Sequence, residues 1–131
     1  MSVKRQEVDW VVSFLCNLFE NKMKSGENLI VLVDKEKCQI EPIILKQLFC
    51  EESGIKSLYG ERIKHQGKTI YFFGTDKPTI AGFCGNTLVV TNSNKSRKAQ
   101  YISMSISMHK RWSRYVADIA VGAVYRLDKP Y

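Results

Sequence analysis

The chain has 131 residues, of which 44% are hydrophobic and 25% are charged, and its formal net charge is +7. This length suits one domain with a genuine core and is too short for two ordinary domains. No apolar run approaches the roughly 18 residues of a membrane-spanning helix, and the N-terminal stretch MSVKRQEVDW lacks the apolar core and cleavage site of a secretory signal, so we expect an intracellular, cytoplasmic protein.

The first part of the chain predicts two helices and one buried strand. Apolar residues recur at helical spacing over residues 8–22 and indicate an amphipathic helix, which Gly26 ends. The run NLIVLVD, residues 28–34, is typical of a strand that is buried on both faces. After the polar link KEKCQ, a second helix opens near Glu41, and Gly54 closes it.

The rest of the chain predicts mostly strands. Two extended runs, SLYGERIKH and KTIYFFGTD, flank Gln66-Gly67, and a glycine at the second turn position predicts a tight hairpin. Residues 86–92 predict a short buried strand, and residues 99–107 alternate as a half-buried strand does. Residues 108–119 predict a helix, and VGAVYRL a last strand. The apolar face of that helix comprises Met108, Trp112, Tyr115 and Ile119.

The order of these elements predicts the fold class. Helical and extended segments alternate in the first part of the chain, and no repeat, linker or low-complexity segment interrupts them. We therefore expect a single α/β domain over residues 1–131, with a mostly parallel central sheet flanked by helices and one β-hairpin at about 56–75.

The cysteines predict reduced structural thiols. The four cysteines form no C-x-x-C pair, and three of them lie in apolar company, where cysteine behaves as a small buried hydrophobe. They are Cys16, Cys38, Cys50 and Cys84. The only histidines, His65 and His109, show no ligand spacing with the cysteines, so we expect no zinc site.

The stretch GERIKHQGKT ends in the letters that close a phosphate-binding loop. A P-loop has the pattern G-x-x-x-x-G-K-[ST] between a strand and a helix. With Gly67 as the second glycine, position 62 should be the first, and it is Arg62. Thr69 then begins TIYFFG, a β-branched and aromatic run typical of a strand. We expect a hairpin turn here and no nucleotide or other cofactor.

A longer segment resembles a known family. Residues 8–93 are similar to the ATPase core of viral large terminases, the DNA-packaging motors of tailed phages and herpesviruses. In that family a hairpin leads into an aromatic strand, a glycine and proline loop, and then the Walker B strand. The residues that carry the resemblance are Gly67, Tyr71, Phe72, Phe73, Gly74, Asp76, Pro78, Gly82 and Leu88-Val89-Val90.

The chain departs from the terminase pattern at the residues that perform the chemistry. The family's Walker A loop would precede Val8, and MSVKRQE contains no glycine. The Walker B acids would follow Val90, where Thr91 and Asn92 stand. Neither residue carries a charge that holds a hard cation. The resemblance therefore implies a shortened, viral relative that does not hydrolyse ATP, acting within the host cell.

Two enzymatic alternatives have weaker support in the sequence. A metal-dependent nuclease needs converging carboxylates. The spacing from Glu61 to Lys64 is one residue longer than in the usual acid-x-Lys pattern, and a second acid, Asp76, ends the next strand. A cysteine nucleophile would pair Cys84 with His65 or His109, although a buried cysteine and a surface histidine are the commoner roles. We expect no catalytic or metal-binding residues.

The charge is divided unevenly along the chain. Residues 1–55 contain 7 Lys and Arg against 9 Asp and Glu, a net charge of −2, whereas residues 56–131 contain 13 against 4, a net charge of +9. Such a division favours an anionic partner, nucleic acid being the commonest. A lysine-rich surface without a partner is the alternative.

Six cations in the basic part are candidate phosphate contacts. They are Lys95, Arg97, Lys98, Lys110, Arg111 and Arg114. On a helix Lys110 and Arg114 would share a face, and cations along a phosphate backbone give salt-dependent, largely sequence-independent binding. Trp112 and Tyr115 would stack on bases or, more commonly for such residues, pack in the core.

The sequence thus leaves three functional hypotheses. The first is a non-catalytic nucleic-acid-binding protein of viral origin that contacts phosphates through its basic C-terminal half. The second is a small effector or inhibitor that docks on the acidic surface of a protein partner. The third is a degenerate metal-dependent nuclease.

Overall fold

Among the described residues, every helix lies before residue 54, and five of the six strands follow it. A computed structural model describes residues 5–38, 40–57, 60–74, 86–91 and 114–127. The helices are α1 (Arg5–Asn17), a π-helix (Leu18–Lys22), α2 (Lys35–Cys38) and α3 (Pro42–Ser53). The strands are β1 (Asn28–Val33), β2 (Arg62–His65), β3 (Lys68–Gly74), β4 (Asn86–Thr91), β5 (Arg114–Asp118) and β6 (Ala123–Leu127). The chain is therefore of mixed α/β class.

The six strands form one mixed sheet in the order β2-β3-β1-β4-β5-β6. β1 pairs in parallel with β3 and with β4, and β4 pairs in parallel with β5. The two outer pairings, β2 with β3 and β5 with β6, are antiparallel. β1 lies inside the sheet, and both of its faces are buried, as its uninterrupted apolar run predicts.

α1, the π-helix and α3 cover one face of the sheet, which we call the helix face. Val11 and Leu15 of α1 and Phe49 of α3 share one core cluster with the odd-numbered residues of β1. The rings of Phe19, Phe49 and Phe72 follow one another at centroid distances of 5.7 and 5.9 Å. Because side chains alternate along a strand, the even-numbered residues of β1 lie on the opposite face.

The hairpin predicted at Gln66-Gly67 is present. β2 and β3 pair with His65 opposite Lys68, and the two turn residues have positive φ of 53° and 77°. Positive φ at both central residues is the type I′ geometry that suits a two-residue hairpin. The turn docks on the segment before β1, where the Gly26 N–H donates to the Gly67 carbonyl at 2.8 Å.

Lys68 serves the fold at this turn. Its ammonium group donates hydrogen bonds to the carbonyls of Phe19, at 2.6 Å, and Glu20, at 3.3 Å. It also lies 5.4 Å from the centroid of the Phe19 ring. The lysine of the apparent phosphate loop thus satisfies carbonyl groups of the π-helix, whose own hydrogen bonding leaves them open.

The structure corrects two sequence predictions. The helix predicted over residues 108–119 is wrong at its C-terminal end, because Arg114–Asp118 is strand β5 and pairs with β4 and β6. The polar link KEKCQ contains a short helix, Lys35–Cys38. The strand predicted at residues 99–107 lies outside the described residues. No helix in the described part of the chain has the length and apolar character to cross a membrane.

Candidate nucleic-acid interface

The structure describes one of the six predicted phosphate contacts. Arg114 is the first residue of β5, opposite Thr87 of β4 and Leu127 of β6. It therefore does not share a helix face with Lys110, and that part of the prediction is wrong. The other five cations lie outside the described residues: Lys95, Arg97, Lys98, Lys110 and Arg111.

Tyr115, a predicted base-stacking or core residue, belongs to the helix side of the molecule. It is partly buried and packs against the core cluster. Its ring meets Phe14 of α1 edge to face, with 5.4 Å between centroids and an interplanar angle of 74°. This contact makes core packing the role of Tyr115. Trp112 lies outside the described residues.

The hairpin presents two cations in addition to the six predicted phosphate contacts. Arg62 and Lys64 are exposed, whereas Ile63 between them is buried in the helix-face core. Alternation along β2 therefore places both cations on the opposite face of the sheet. The signal in the sequence was the pattern R-I-K-H, in which one apolar residue separates two cations.

An aromatic residue lies beside these cations on the same face. Tyr71 of β3 is the register partner of Arg62, and Lys64 is opposite Thr69. Tyr71 is partly buried, and its ring stacks on that of Phe73 with 5.6 Å between centroids and an interplanar angle of 26°. We call Arg62, Lys64 and Tyr71 the hairpin patch.

A cavity of about 230 Å³ opens where β1 and β3 end. Lys35, Lys46, Glu41 and Glu61 supply its charged lining, and Phe72 part of its apolar lining. Lys46 is 4% exposed, and its ammonium group donates to the Gly60 carbonyl at 2.5 Å. Lys35 pairs with Glu41 at 3.5 Å. Because the charges of its lining balance, the cavity does not favour an anion.

Of the two acids in the nuclease hypothesis, one lies within the described residues. Glu61 borders the cavity, and Asp76 lies outside the described residues. Within the described ranges no group of three or more His, Cys, Asp or Glu is placed to hold a metal ion. The buried Asp118 acts in the turn after β5, where its carboxylate accepts hydrogen bonds from the N–H groups of Ala120 at 3.0 Å and Val121 at 3.3 Å.

Cys16 and Cys50 are free cysteines, and the pKa of each thiol is raised above its ordinary value. Burial, followed by the charges of Glu20 and Glu52, raises the pKa of Cys16 to about 11. Burial also raises the pKa of Cys50, against the lowering effect of the nearby Lys46 ammonium. A raised thiol pKa opposes nucleophilic reactivity. Cys84 and His109 of the nucleophile hypothesis lie outside the described residues, and His65 is exposed on β2.

Comparison with known proteins gives no relative for this chain. No protein-family model, no curated protein and no solved structure matches it.

Proposed function

We propose that this chain, a single α/β domain with a mostly parallel central sheet, is a non-catalytic nucleic-acid-binding protein. The observation that carries the proposal is the division of charge, with a net charge of +9 over residues 56–131 against −2 over residues 1–55. A surplus of cations on one part of a protein attracts a polyanion and releases its counterions on binding.

The phosphate contacts in this proposal are the six cations of the basic part, Lys95, Arg97, Lys98, Lys110, Arg111 and Arg114. The exposed Arg62 and Lys64 of the hairpin patch add to them, since they belong to the same basic part of the chain. Contacts of this kind hold the sugar-phosphate backbone and carry little sequence preference.

The proposal includes an origin and a cellular location. The resemblance to the terminase core suggests a viral protein that has kept the nucleic-acid context of a packaging motor without its Walker B acids. In that setting it acts inside the host cell. The uncharged Thr91 and Asn92 at the positions of the Walker B acids support a role without ATP hydrolysis.

The decisive comparison uses two double charge reversals of equal size. Arg97→Glu/Lys98→Glu removes two proposed phosphate contacts, whereas Lys22→Glu/Lys24→Glu reverses two exposed lysines in residues 1–55, the part of the chain with a net charge of −2. Binding of labelled DNA and RNA is followed by fluorescence anisotropy over a salt series. The first variant should bind weakly, with its salt dependence reduced by about two phosphate contacts. Equal losses in both variants would overturn the assignment of these contacts.

A protein partner is the second candidate function, and one observation favours it. Ile43 and Ile44 at the start of α3 are 46% and 42% exposed, and Ile43 lines the cavity at the ends of β1 and β3. Adjacent exposed apolar residues are a usual component of protein interfaces. In this case the basic part of the chain would dock on an acidic protein surface, and a purified complex of fixed stoichiometry would form without nucleic acid.

A further inference from the structure

We propose that the hairpin patch binds single-stranded nucleic acid, with a base stacked on Tyr71 and phosphates held by Arg62 and Lys64. This inference rests on the proposed function and deepens it by naming the form of nucleic acid and the residue that takes a base. Three features of the described residues carry it: the register of β2 and β3, the support of the Tyr71 ring, and the charge at this end of the sheet.

The register places Arg62 directly beside Tyr71. The Phe72 N–H donates to the Glu61 carbonyl at 2.8 Å, so residues 61 and 72 form a hydrogen-bonded pair. Pairs of the two types alternate in an antiparallel ladder, and Arg62 with Tyr71 is therefore a non-hydrogen-bonded pair. In such a pair the two side chains are close, with about 4.5 Å between Cα atoms.

The Tyr71 ring is supported by a neighbouring ring of the same strand. It stacks on Phe73, which is 5% exposed and is fixed in the sheet. Tyr71 itself keeps part of its surface in contact with solvent. A ring that is ordered before binding loses little rotamer entropy when a base stacks on it. Stacking on an aromatic ring tolerates any base, because every base has a π-face.

The cations are spaced along the same face. Arg62 and Lys64 are two residues apart on β2, which corresponds to about 6.8 Å along a strand. Arg62 thus lies directly beside the ring and Lys64 one pair further along β2, opposite Thr69, on a line along which a sugar-phosphate backbone can run. A guanidinium group next to an aromatic ring also offers its own plane to a base.

A single strand fits the patch better than a duplex does. Bases in a duplex are stacked on one another and do not present a π-face to a ring that is anchored in a sheet, whereas the bases of a single strand do. An added β-strand from an acidic protein fits less well, because the Ser57 hydroxyl already donates to the outward carbonyl of Arg62 at 3.3 Å. That contact covers part of the edge on which a strand would pair.

The test measures the affinity of full-length protein for labelled oligothymidylate, about 12 nucleotides long, and for a duplex of equal length. Tyr71→Leu removes the π-face and keeps an apolar side chain, and Tyr71→Phe keeps the ring. Tyr71→Leu should weaken single-strand binding by about fivefold or more, the loss of one stacked base. Tyr71→Phe should bind as the wild type does, and duplex binding should change less than twofold in both variants.

Photocrosslinking supplies a measurement that does not depend on comparing variants. Ultraviolet irradiation of the wild-type protein with oligothymidylate, followed by peptide mass spectrometry, should place a crosslink in the peptide that contains Tyr71. Single-strand binding that is unchanged in Tyr71→Leu, with crosslinks elsewhere, would overturn this inference and leave the proposed function in place. Absence of binding to any nucleic acid would overturn both. Binding of an acidic peptide in place of oligothymidylate would assign the patch to a protein partner.

Discussion

Replacing Gly67 with alanine tests the hairpin turn at the center of the apparent phosphate loop. Gly67 has φ of +77°, where a residue with a Cβ is strained. A Cβ built there lies 2.2 Å from the Oγ and 3.3 Å from the Cβ of Ser25. The substitution therefore meets two separate costs, one from the backbone conformation and one from the neighbouring side chain.

The two costs have different magnitudes. The left-handed conformation costs about 1–2 kcal/mol for a residue other than glycine. Moving the Ser25 hydroxyl away from the new methyl group forces a side chain from its rotamer, at about 0.5–1.5 kcal/mol. We expect Gly67→Ala to lower the free energy of unfolding by roughly 1.5–3.5 kcal/mol. Gly54→Ala is the matched control, because φ is +75° there and nothing lies within 4 Å of the added Cβ.

The assay is urea-induced unfolding followed by circular dichroism, with linear extrapolation to water. Gly67→Ala should lower the free energy of unfolding by more than Gly54→Ala does. In a Ser25→Ala background, the losses caused by the two glycine substitutions should agree to within about 0.5 kcal/mol, the usual error of additivity. Equal losses at the two glycines, or an excess that persists without the Ser25 hydroxyl, would refute the packing of the turn against Ser25.

Three further predictions concern other contacts. Lys68→Met should lower the free energy of unfolding by about 1.5–3 kcal/mol because it removes charged hydrogen bonds to main-chain carbonyls, whereas Lys64→Met should change it little in the same urea titration. The pKa of Cys16 is raised from 9.0 to about 11, so between pH 9 and pH 11 the thiol ionises in the unfolded chain and stays protonated in the folded protein. The stability of the wild type relative to Cys16→Ala should therefore fall as pH rises over this range. A difference in melting temperature between the two proteins that does not change with pH would be contrary evidence. Asp118→Ala should cost about 1–3 kcal/mol through two unpaired turn N–H groups, and a thermal melt indistinguishable from wild type would contradict the role of this carboxylate.

Local chemistry was enough to predict the elements at the start of the chain. The apolar run of β1, the helix closed by Gly54 and the turn at Gln66-Gly67 each depend on residues that are near in sequence. Gly54 has the left-handed conformation of a helix C-cap, with φ of 75°. For such elements, composition and spacing contain most of the information that the fold uses.

The strand β5 shows where such reasoning fails. Residues four apart share a face in a helix and also in a strand, so Tyr115 and Ile119 pack against the core in either structure. The strand forms because β5 pairs with β4 and with β6. β4 lies more than 20 residues earlier in the chain and β6 comes after β5, so the residues of β5 alone do not reveal these pairings. The π-helix after Asn17 was missed for a similar reason, since its carbonyls are satisfied by Lys68, far along the chain.

The candidate site also combines a feature that the sequence predicts with one that depends on strand pairing. Charge counting predicted a basic part of the chain, because net charge needs no structure. The hairpin patch was missed, because Arg62 and Tyr71 become neighbours only through the register of β2 and β3. Read in sequence alone, Glu61 and Lys64 resemble parts of a nuclease motif.

The salt dependence of nucleic-acid binding by the wild-type protein tests the central claim most directly. If the six cations of the basic part together with Arg62 and Lys64 each neutralise one phosphate, the logarithm of the binding constant for duplex DNA should fall linearly with the logarithm of salt concentration, with a slope of about −7. The same titration on a single strand should give a shallower slope for the same number of contacts. A slope near zero, or no binding at low salt, would contradict the claim that this protein binds nucleic acid through its phosphates.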